Sequence, residues 1–513
     1  MNRRIRLANN MKNKITDLFL YNQRYLISSI IVGIILFGTL LITGLYAPGG
    51  LAQTEIDSTV ASHELGFGNL LEPRSLIGLP FKIMQKISIG LFGLSAFSIK
   101  LPALITTGLA AIGLFVLIAN WTDRRSAILS TIVVLISSRW LVLSQLGNQI
   151  PIIISLSMIL VSVLTYLTHQ ANIIHQKRSC SITQKIKLAS LLMAIFVISG
   201  LLFYFPMGAY LIFIVSLTMI LHPFIRLSLK RLNKLIGLHW YFIGLASFVV
   251  ILTPLVIGVI KNINLATNLL LVNDFNFQII DNIKFILREF LDFSPTTSTP
   301  YATPWFNLSA IVLVIIGVFR EARTSYRPRS SIILMWLMSA IVMSLFSQQT
   351  GIILFIPLSL SLAMGLDYIV TSWYRIFPRN PVARFVGLIP IIFLLASLVV
   401  YNLITYIDAY KYQPNLANQF SNDLKLLQNY LKTNRDRTVL LIASKQNNEL
   451  KFYEILALQN KNFQIANKFN SAETNLQIAT HLGRDSVNDF YIKHVITSHF
   501  SNNADRFYVY KNL

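Results

Sequence analysis

The stretch YLISSIIVGIILFGTLLITGLY, Tyr25–Tyr46, runs 22 residues without a charge. At 1.5 Å per residue a helix of that length crosses a hydrocarbon core of about 30 Å. Before it, Met1–Arg24 carries Arg3, Arg4, Arg6, Lys12, Lys14 and Arg24 against Asp17. The run is too long for the apolar core of a cleaved signal, and no small-x-small site follows it. It reads as a retained anchor whose N-terminal side stays in the cytoplasm.

Composition extends that reading to the whole chain. Of 513 residues, 54% are hydrophobic and 13% charged, against about 25% charged in a soluble domain. The net charge of +23 would suit nucleic acid only if it formed a patch on a soluble domain, and here the basic residues sit in short loops between apolar runs. The single cysteine, Cys180, has no partner for an internal disulfide and no metal-ligand spacing around it. Further apolar runs lie at 99–120, 126–147, 150–168, 188–206, 207–222, 239–260, 306–319, 331–347, 351–370 and 386–406. With the anchor they make eleven expected spans. Alternate loops carry 23 Lys and Arg on the N-terminal side and 7 on the other, which predicts the N-terminus inside and the C-terminus outside.

The fold class is therefore an all-α polytopic membrane protein of about 11 transmembrane helices with a small C-terminal α/β domain. Its parts are a basic tail over 1–24, a membrane domain over 25–406 with long outer loops at 47–98 and 261–305, and an extracytoplasmic domain over 407–513. Long connections are usually functional. Ser75–Leu94 puts Leu79, Ile83 and Ile87 on one helical face and Lys82 with Lys86 on another. Phe277–Phe293 sets Ile280, Ile283, Leu287 and Phe290 against Asp281, Lys284, Arg288 and Asp292. Both patterns predict helices lying in the outer interface or packing as covers over the bundle. In the last domain, 439–443 and 507–510 read as strands, and 449–459 and 471–481 as helices.

The chemistry-bearing candidates cluster in APGGLAQTEIDSTVASHEL, Ala47–Leu65. Glu55 and Asp57 point apart if the segment is helical and share a face if it is extended. In a partly dry cleft either carboxylate suits a general base, and in water both are ordinary loop residues. His63 and Glu64 are a surface pair or a continuation of the same face. Arg139 lies inside the third span, where a charge needs a partner, either a lipid phosphate or a loop carboxylate, unless it reaches the outer interface. Lys82, Lys86, Lys261 and Arg288, with Arg74 and Lys284, could hold a phosphate or simply meet anionic headgroups. Asp367 reads as a helix-end residue reaching water.

LFGLSAFSIKLPALI at 91–105 closely resembles the opening of the polyprenyl-phosphate-dependent glycosyltransferases of the GT-C class, including protein O-mannosyltransferases and lipid A aminoarabinose transferases. Their phrase LFG-S-x-x-x-x-R-L-P is matched by Leu91, Phe92, Gly93, Ser95, Lys100, Leu101 and Pro102, with Lys for Arg. SRWLVLSQLGNQIPIIISLSM at 138–158 and the Tyr-x-Pro turn in LLFYFPMGAYLI at 201–212 continue the similarity. WYRIFPRNPVARF at 373–385 is similar to multi-span glycosyltransferase-like proteins of small-genome bacteria. About 400 residues are covered. The family's loop reads Asp-Glu, and aligning HEL at 63–65 with its Arg-Glu-Met puts Thr54-Glu55 there. A second family acid, after the third span, is replaced by Asn148 and Gln149.

The resemblance implies an inverting glycosyltransferase of the bacterial inner membrane, moving a sugar from a polyprenyl-phosphate donor to a lipid, glycan or protein hydroxyl outside the cytoplasm. Glu55 or Asp57 would be the catalytic base. Arg139, Lys82, Lys86, Lys261, Arg288 and His63 would bind the substrate phosphate. The sequence calls for no cofactor by motif, and the chemistry leaves room for a divalent cation. The competing expectations are a transporter or flippase for a lipid-linked anion, which would place functional polar groups near the bilayer midplane, and a catalytically degenerate scaffold.

Overall fold

The computed structural model describes residues 50–66, 68–176, 181–291, 304–348, 351–376, 381–412, 420–435, 437–444, 448–466, 476–484, 487, 491–498 and 505–511. The anchor at Tyr25–Tyr46 and Cys180 lie outside them. In order come β1 (Leu51–Ala52), α1 (Gln53–His63), α2 (Pro73–Leu76), α3 (Leu79–Phe92), α4 (Ala96–Trp121), α5 (Arg124–Leu135), α6 (Ser138–Gln145), α7 (Ile150–Gln176), α8 (Ile182–Leu202), α9 (Gly208–Leu221), α10 (Pro223–Leu235), α11 (Leu238–Lys261), α12 (Asn264–Leu269), α13 (Ile279–Leu291), α14 (Leu308–Arg323), α15 (Pro328–Phe346), α16 (Gly351–Ile376) and α17 (Pro381–Tyr412). The last domain adds β2 (Phe420–Ser421), α18 (Asp423–Thr433), β3 (Val439–Ile442), α19 (Glu449–Gln459), β4 (Phe463–Ile465), β5 (Leu476–Thr480), β6 (Tyr491–Thr497) and β7 (Asp505–Lys511).

Among the described residues seven helices are long and apolar enough to cross a membrane, or nine if each bent pair is one span. The chain is a multi-pass membrane protein. Four of the eleven expected spans are not among these seven. The anchor is outside the described residues. The run at 126–147 breaks between α5 and α6 with a 66° bend, and α9 turns into α10 through 88°. At the second break Pro223 keeps His222 extended, with ψ 119°, because its ring clashes with a helical predecessor. Finally α14, with 16 residues, is about 24 Å long and does not span by itself.

α14 instead packs along α16 at a crossing closer than side chains allow. A β-carbon on Gly317 would lie 1.8 Å from the carbonyl oxygen of Ser361, and one on Gly365 would lie 2.0 Å from that of Leu313. Small residues let helix backbones approach in this way. Near this crossing Arg320 donates to Asp367 at 2.7 Å, and Asp367 is buried. The water-reaching helix end expected for Asp367 is thus wrong: the carboxylate lies inside the bundle, with one of its oxygens in an ion pair.

The two long connections carry the expected helices. α3 buries Gln85 and Ser88 and leaves Ile83 and Ile87 exposed, while α13 buries only Asn282 and exposes Ile280, Ile283 and Leu287. No part of the described protein covers these apolar faces, as suits helices lying in a bilayer interface.

The C-terminal domain is a five-stranded sheet in the order β4-β3-β5-β7-β6, parallel on both sides of β3 and antiparallel beyond β5. The strands expected at 439–443 and 507–510 fall in β3 and β7, and the helix expected over 449–459 is α19. The helix expected over 471–481 is corrected: Leu476–Thr480 is the central strand β5, buried on both faces. Covered faces erase the alternation that marks a strand in sequence. This domain is fused to the first long connection. β1 pairs antiparallel with β2, Leu51 opposite Ser421, and Leu51, Val60, Ile89, Leu94 and Ile99 share one core with Leu427, Leu456 and Phe463.

The α14–α16 crossing yields a stability prediction. Gly365→Val puts a branched side chain where backbone already sits, and its expected cost is about 3 kcal/mol or more. Thermal unfolding of the detergent-solubilised protein should show it. Gly351→Val in the same helix, where a β-carbon meets nothing closer than 3.8 Å, should be near neutral.

Candidate active site

The loop at 47–65 is mostly helical. Ala52 is extended and caps α1, and Glu55 at the third position reaches back to accept from the Ala52 N–H at 2.7 Å. This is the half of a capping box that alanine cannot reciprocate. Because α1 is a helix, Glu55 and Asp57 are about 200° apart around its axis and face different surroundings.

Glu55 faces inward and is fully buried. One carboxylate oxygen accepts from the Gly147 N–H at 2.5 Å, and the other lies 3.8 Å from Nζ of Lys100. Lys100 is buried as well, with Phe420 of the C-terminal domain 5.8 Å away across the ring face. Gln85 reinforces the same junction, its amide donating to the carbonyls of Ile99 and Gly147 at 3.4 Å and accepting from Ser58 Oγ at 2.9 Å. The sequence put no weight on Gln85.

Asp57 faces the other way, into a cavity of about 890 Å³ at the end of the bundle that carries the C-terminal domain. Its walls come from α1, the turn at Glu72–Gly78, the start of α3, the turn at Asn148–Ile150, and Asn448 with Lys451 of the C-terminal domain. Asn448 donates to Asp57 at 2.8 Å and Gln53 donates to it at 3.2 Å. Lys82 of α3 lines the same cavity, and burial pushes its ammonium down to about 8. Gly78 turns the chain into α3 with φ +70°, and the Gln149 amide oxygen occupies the space a side chain there would need. The Gly78 N–H donates to the Tyr204 carbonyl at 2.7 Å, so the Tyr-x-Pro turn braces the cavity floor.

The remaining candidates are elsewhere. Arg139 is buried at the start of α6, 3.1 Å from Glu289 of α13 and 5.4 Å above Trp305. Glu289 also accepts from the Trp305 indole at 2.8 Å. A loop carboxylate was among the partners expected for Arg139, and Glu289 in the second long connection is one; it does not come from 47–65, and Arg139 does not line the cavity. Lys86 donates to the Leu65 carbonyl and holds the exit from α1. His63, Lys261 and Arg288 are exposed and outside the cavity lining. Lys284 pairs with Asp281 at 3.5 Å. Glu64 pairs with Lys451 at 2.6 Å and lines the cavity, as does Glu72. Among the described residues no three His, Cys, Asp or Glu side chains gather as a metal site. Asn448 and Lys451 were missed because only folding brings residues some 390 positions away to Asp57.

A helical membrane bundle with this loop, motif and appended sheet domain is the GT-C fold. Among solved structures the chain is similar to ArnT from Cupriavidus metallidurans bound to undecaprenyl phosphate, with TM-score 0.51 and 12% identity over 95% of this chain and 98% of that one. The apo form of that protein aligns with TM-score 0.49 and 12% identity over 94% and 98% of the two chains. The oligosaccharyltransferase AglB from Archaeoglobus fulgidus, in complex with an inhibitory peptide and a dolichol-phosphate, aligns with TM-score 0.48 and 12% identity over 85% of this chain and 64% of its own. No protein-family model and no curated protein matches the sequence.

The Glu55–Lys100 junction makes its own prediction. Glu55→Ala strands a buried ammonium, at an expected cost of about 3–5 kcal/mol, whereas removing both charges in Glu55→Ala/Lys100→Met should recover much of that loss. A double-mutant cycle by thermal unfolding measures the coupling.

Proposed function

We propose that this chain is a membrane glycosyltransferase that transfers a sugar from a polyprenyl-phosphate to an acceptor hydroxyl outside the cytoplasm, in the inner membrane of a bacterium. The observation carrying this reading is the single cavity that holds Asp57 and Lys82 at the C-terminal-domain end of a GT-C bundle. The whole-length likeness to a polyprenyl-phosphate-bound structure and the loop charge asymmetry support it.

A sugar on a lipid phosphate already has a good leaving group, so the reaction needs a base and a cationic clamp. Asp57 takes the proton of the acceptor hydroxyl as its oxygen attacks the anomeric carbon. The bond from that carbon to the phosphate oxygen breaks on the opposite face, which inverts the configuration. The electron pair leaves with the lipid phosphate, and Lys82 stabilises the charge. Glu55 serves by position: its burial and three partners orient α1 so that Asp57 faces the cavity.

Two measurements test this. Asp57→Asn should reduce sugar transfer by roughly a hundredfold or more, the scale of general-base catalysis, with thermal stability unchanged. Incubation of the purified protein with a panel of polyprenyl-phosphate sugars and scoring of lipid-phosphate release checks it; full activity in Asp57→Asn would sink the assignment. The second concerns pH. Lys82 holds phosphate only when protonated, so kcat/KM for the donor should fall as pH rises through about 8. Lys82→Arg should carry activity past that pH, because guanidinium stays charged.

A further inference from the structure

A second opening, of about 930 Å³, lies between the LFG turn and the C-terminal domain and shares no lining residue with the Asp57 cavity. One wall is Ile89–Ser95, the end of α3 and the cap of α4. The other is α18, the end of α19 and the turn into β4. Three cations line it, Lys432, Arg435 and Lys461, all exposed, and among the described residues no Asp or Glu does. Two amides hold its walls together through one residue: Gln428 donates to the Leu94 carbonyl at 2.6 Å, and Gln459 accepts from the Leu94 N–H at 2.5 Å.

The position of this groove relative to the bilayer follows from α4. That helix is a candidate span, and Phe97, Ile105, Leu109 and Ile112 are exposed along it. Ile105 lies about 12 Å along the axis from Phe97, so the stripe runs down into hydrocarbon from its upper end. Ser95 caps α4, accepting from the Ser98 N–H at 3.1 Å, and therefore sits just above that stripe, at headgroup depth. Leu91 and Phe92 at the groove's edge are 73% and 58% exposed, an apolar lip that belongs in acyl chains. An apolar lip below and cations above, with no acid between them among the described residues, match an anionic lipid from its tails to its phosphate.

We infer that Lys432, Arg435 and Lys461 form a docking site for anionic phospholipid headgroups, through which the C-terminal domain is held down on the membrane beside the LFG turn. The consequence is mechanical. α19 carries Lys451, and Asn448 immediately precedes it, so seating its far end on lipid fixes the two C-terminal residues that wall the Asp57 cavity. This role is separate from sugar transfer and stands whether or not Asp57 is a base.

The full-length protein is placed in nanodiscs of phosphatidylcholine alone or with phosphatidylglycerol, and amide hydrogen exchange is followed in peptides covering 428–435 and 459–463. Phosphatidylglycerol should slow exchange there, and Lys432→Gln/Arg435→Gln/Lys461→Gln should abolish the effect. Each cation near an anionic surface changes affinity about fivefold, so the three together correspond to roughly a hundredfold. At about 1 M salt, where screening acts within about 3 Å, the difference should collapse. Lys284→Gln, on α13 outside the groove, should keep the full effect. Protection that is independent of phosphatidylglycerol, that survives in the triple variant, or that inorganic phosphate reproduces in phosphatidylcholine overturns the proposal. Protection that follows added polyprenyl phosphate instead also overturns it and points to a donor site.

Discussion

A buried carboxylate has to be satisfied by protein, and Glu55 is met by the cap of its own helix and by two distant segments at once. Its oxygens accept from the cap of α1 and from the Gly147 turn, and they face Lys100 near the top of α4. Those contacts set the rotation of α1 about its own axis, and the rotation sends Asp57 to the opposite side. Of the two carboxylates the loop offers, Glu55 is taken up by these contacts and Asp57 is the one left facing the cavity. The family phrase ending in Lys100-Leu101-Pro102 has the same explanation here: its cation is the counter-charge for the loop.

The first long connection and the C-terminal domain are one layer. Leu51 and Phe420 sit in the small sheet that joins them, and the apolar residues of α1, α3 and the LFG turn pack into the core of the distant domain. A cavity bounded by both has walls that move only together. That suits a site where charge must be met by fixed groups, and it gives the C-terminal domain a part in the site that its lack of catalytic motifs conceals. The bundle beneath is held by close backbone contact at Gly317 and Gly365 and by internal ion pairs such as Arg320–Asp367 and Arg139–Glu289. Apolar packing alone discriminates little in lipid.

The membrane class and the place of the loop were legible in the chain because uncharged runs and loop charge are local properties. Arg139 was legible as an anomaly inside a span and Asp367 was not, and the partner of neither was legible. Glu289 is 150 positions from Arg139 and Arg320 is 47 from Asp367, and nothing in the sequence orders those distances. The outward-basic set illustrates the same limit. Lys82, Lys86 and Arg288 look alike in sequence, yet one lines the cavity, one holds a backbone carbonyl and one is exposed.

By itself the sequence determined that this is a polytopic membrane protein with a long acidic connection after its first apolar run and a small α/β domain at its end. Hydrophobic runs of spanning length have no other stable solvent. Only the tertiary structure decided which carboxylate meets the cavity, that the C-terminal domain closes it, and that broken helices replace some straight spans. Those outcomes depend on the rotation of one short helix and on contacts between residues hundreds of positions apart, which neither periodicity nor composition encodes.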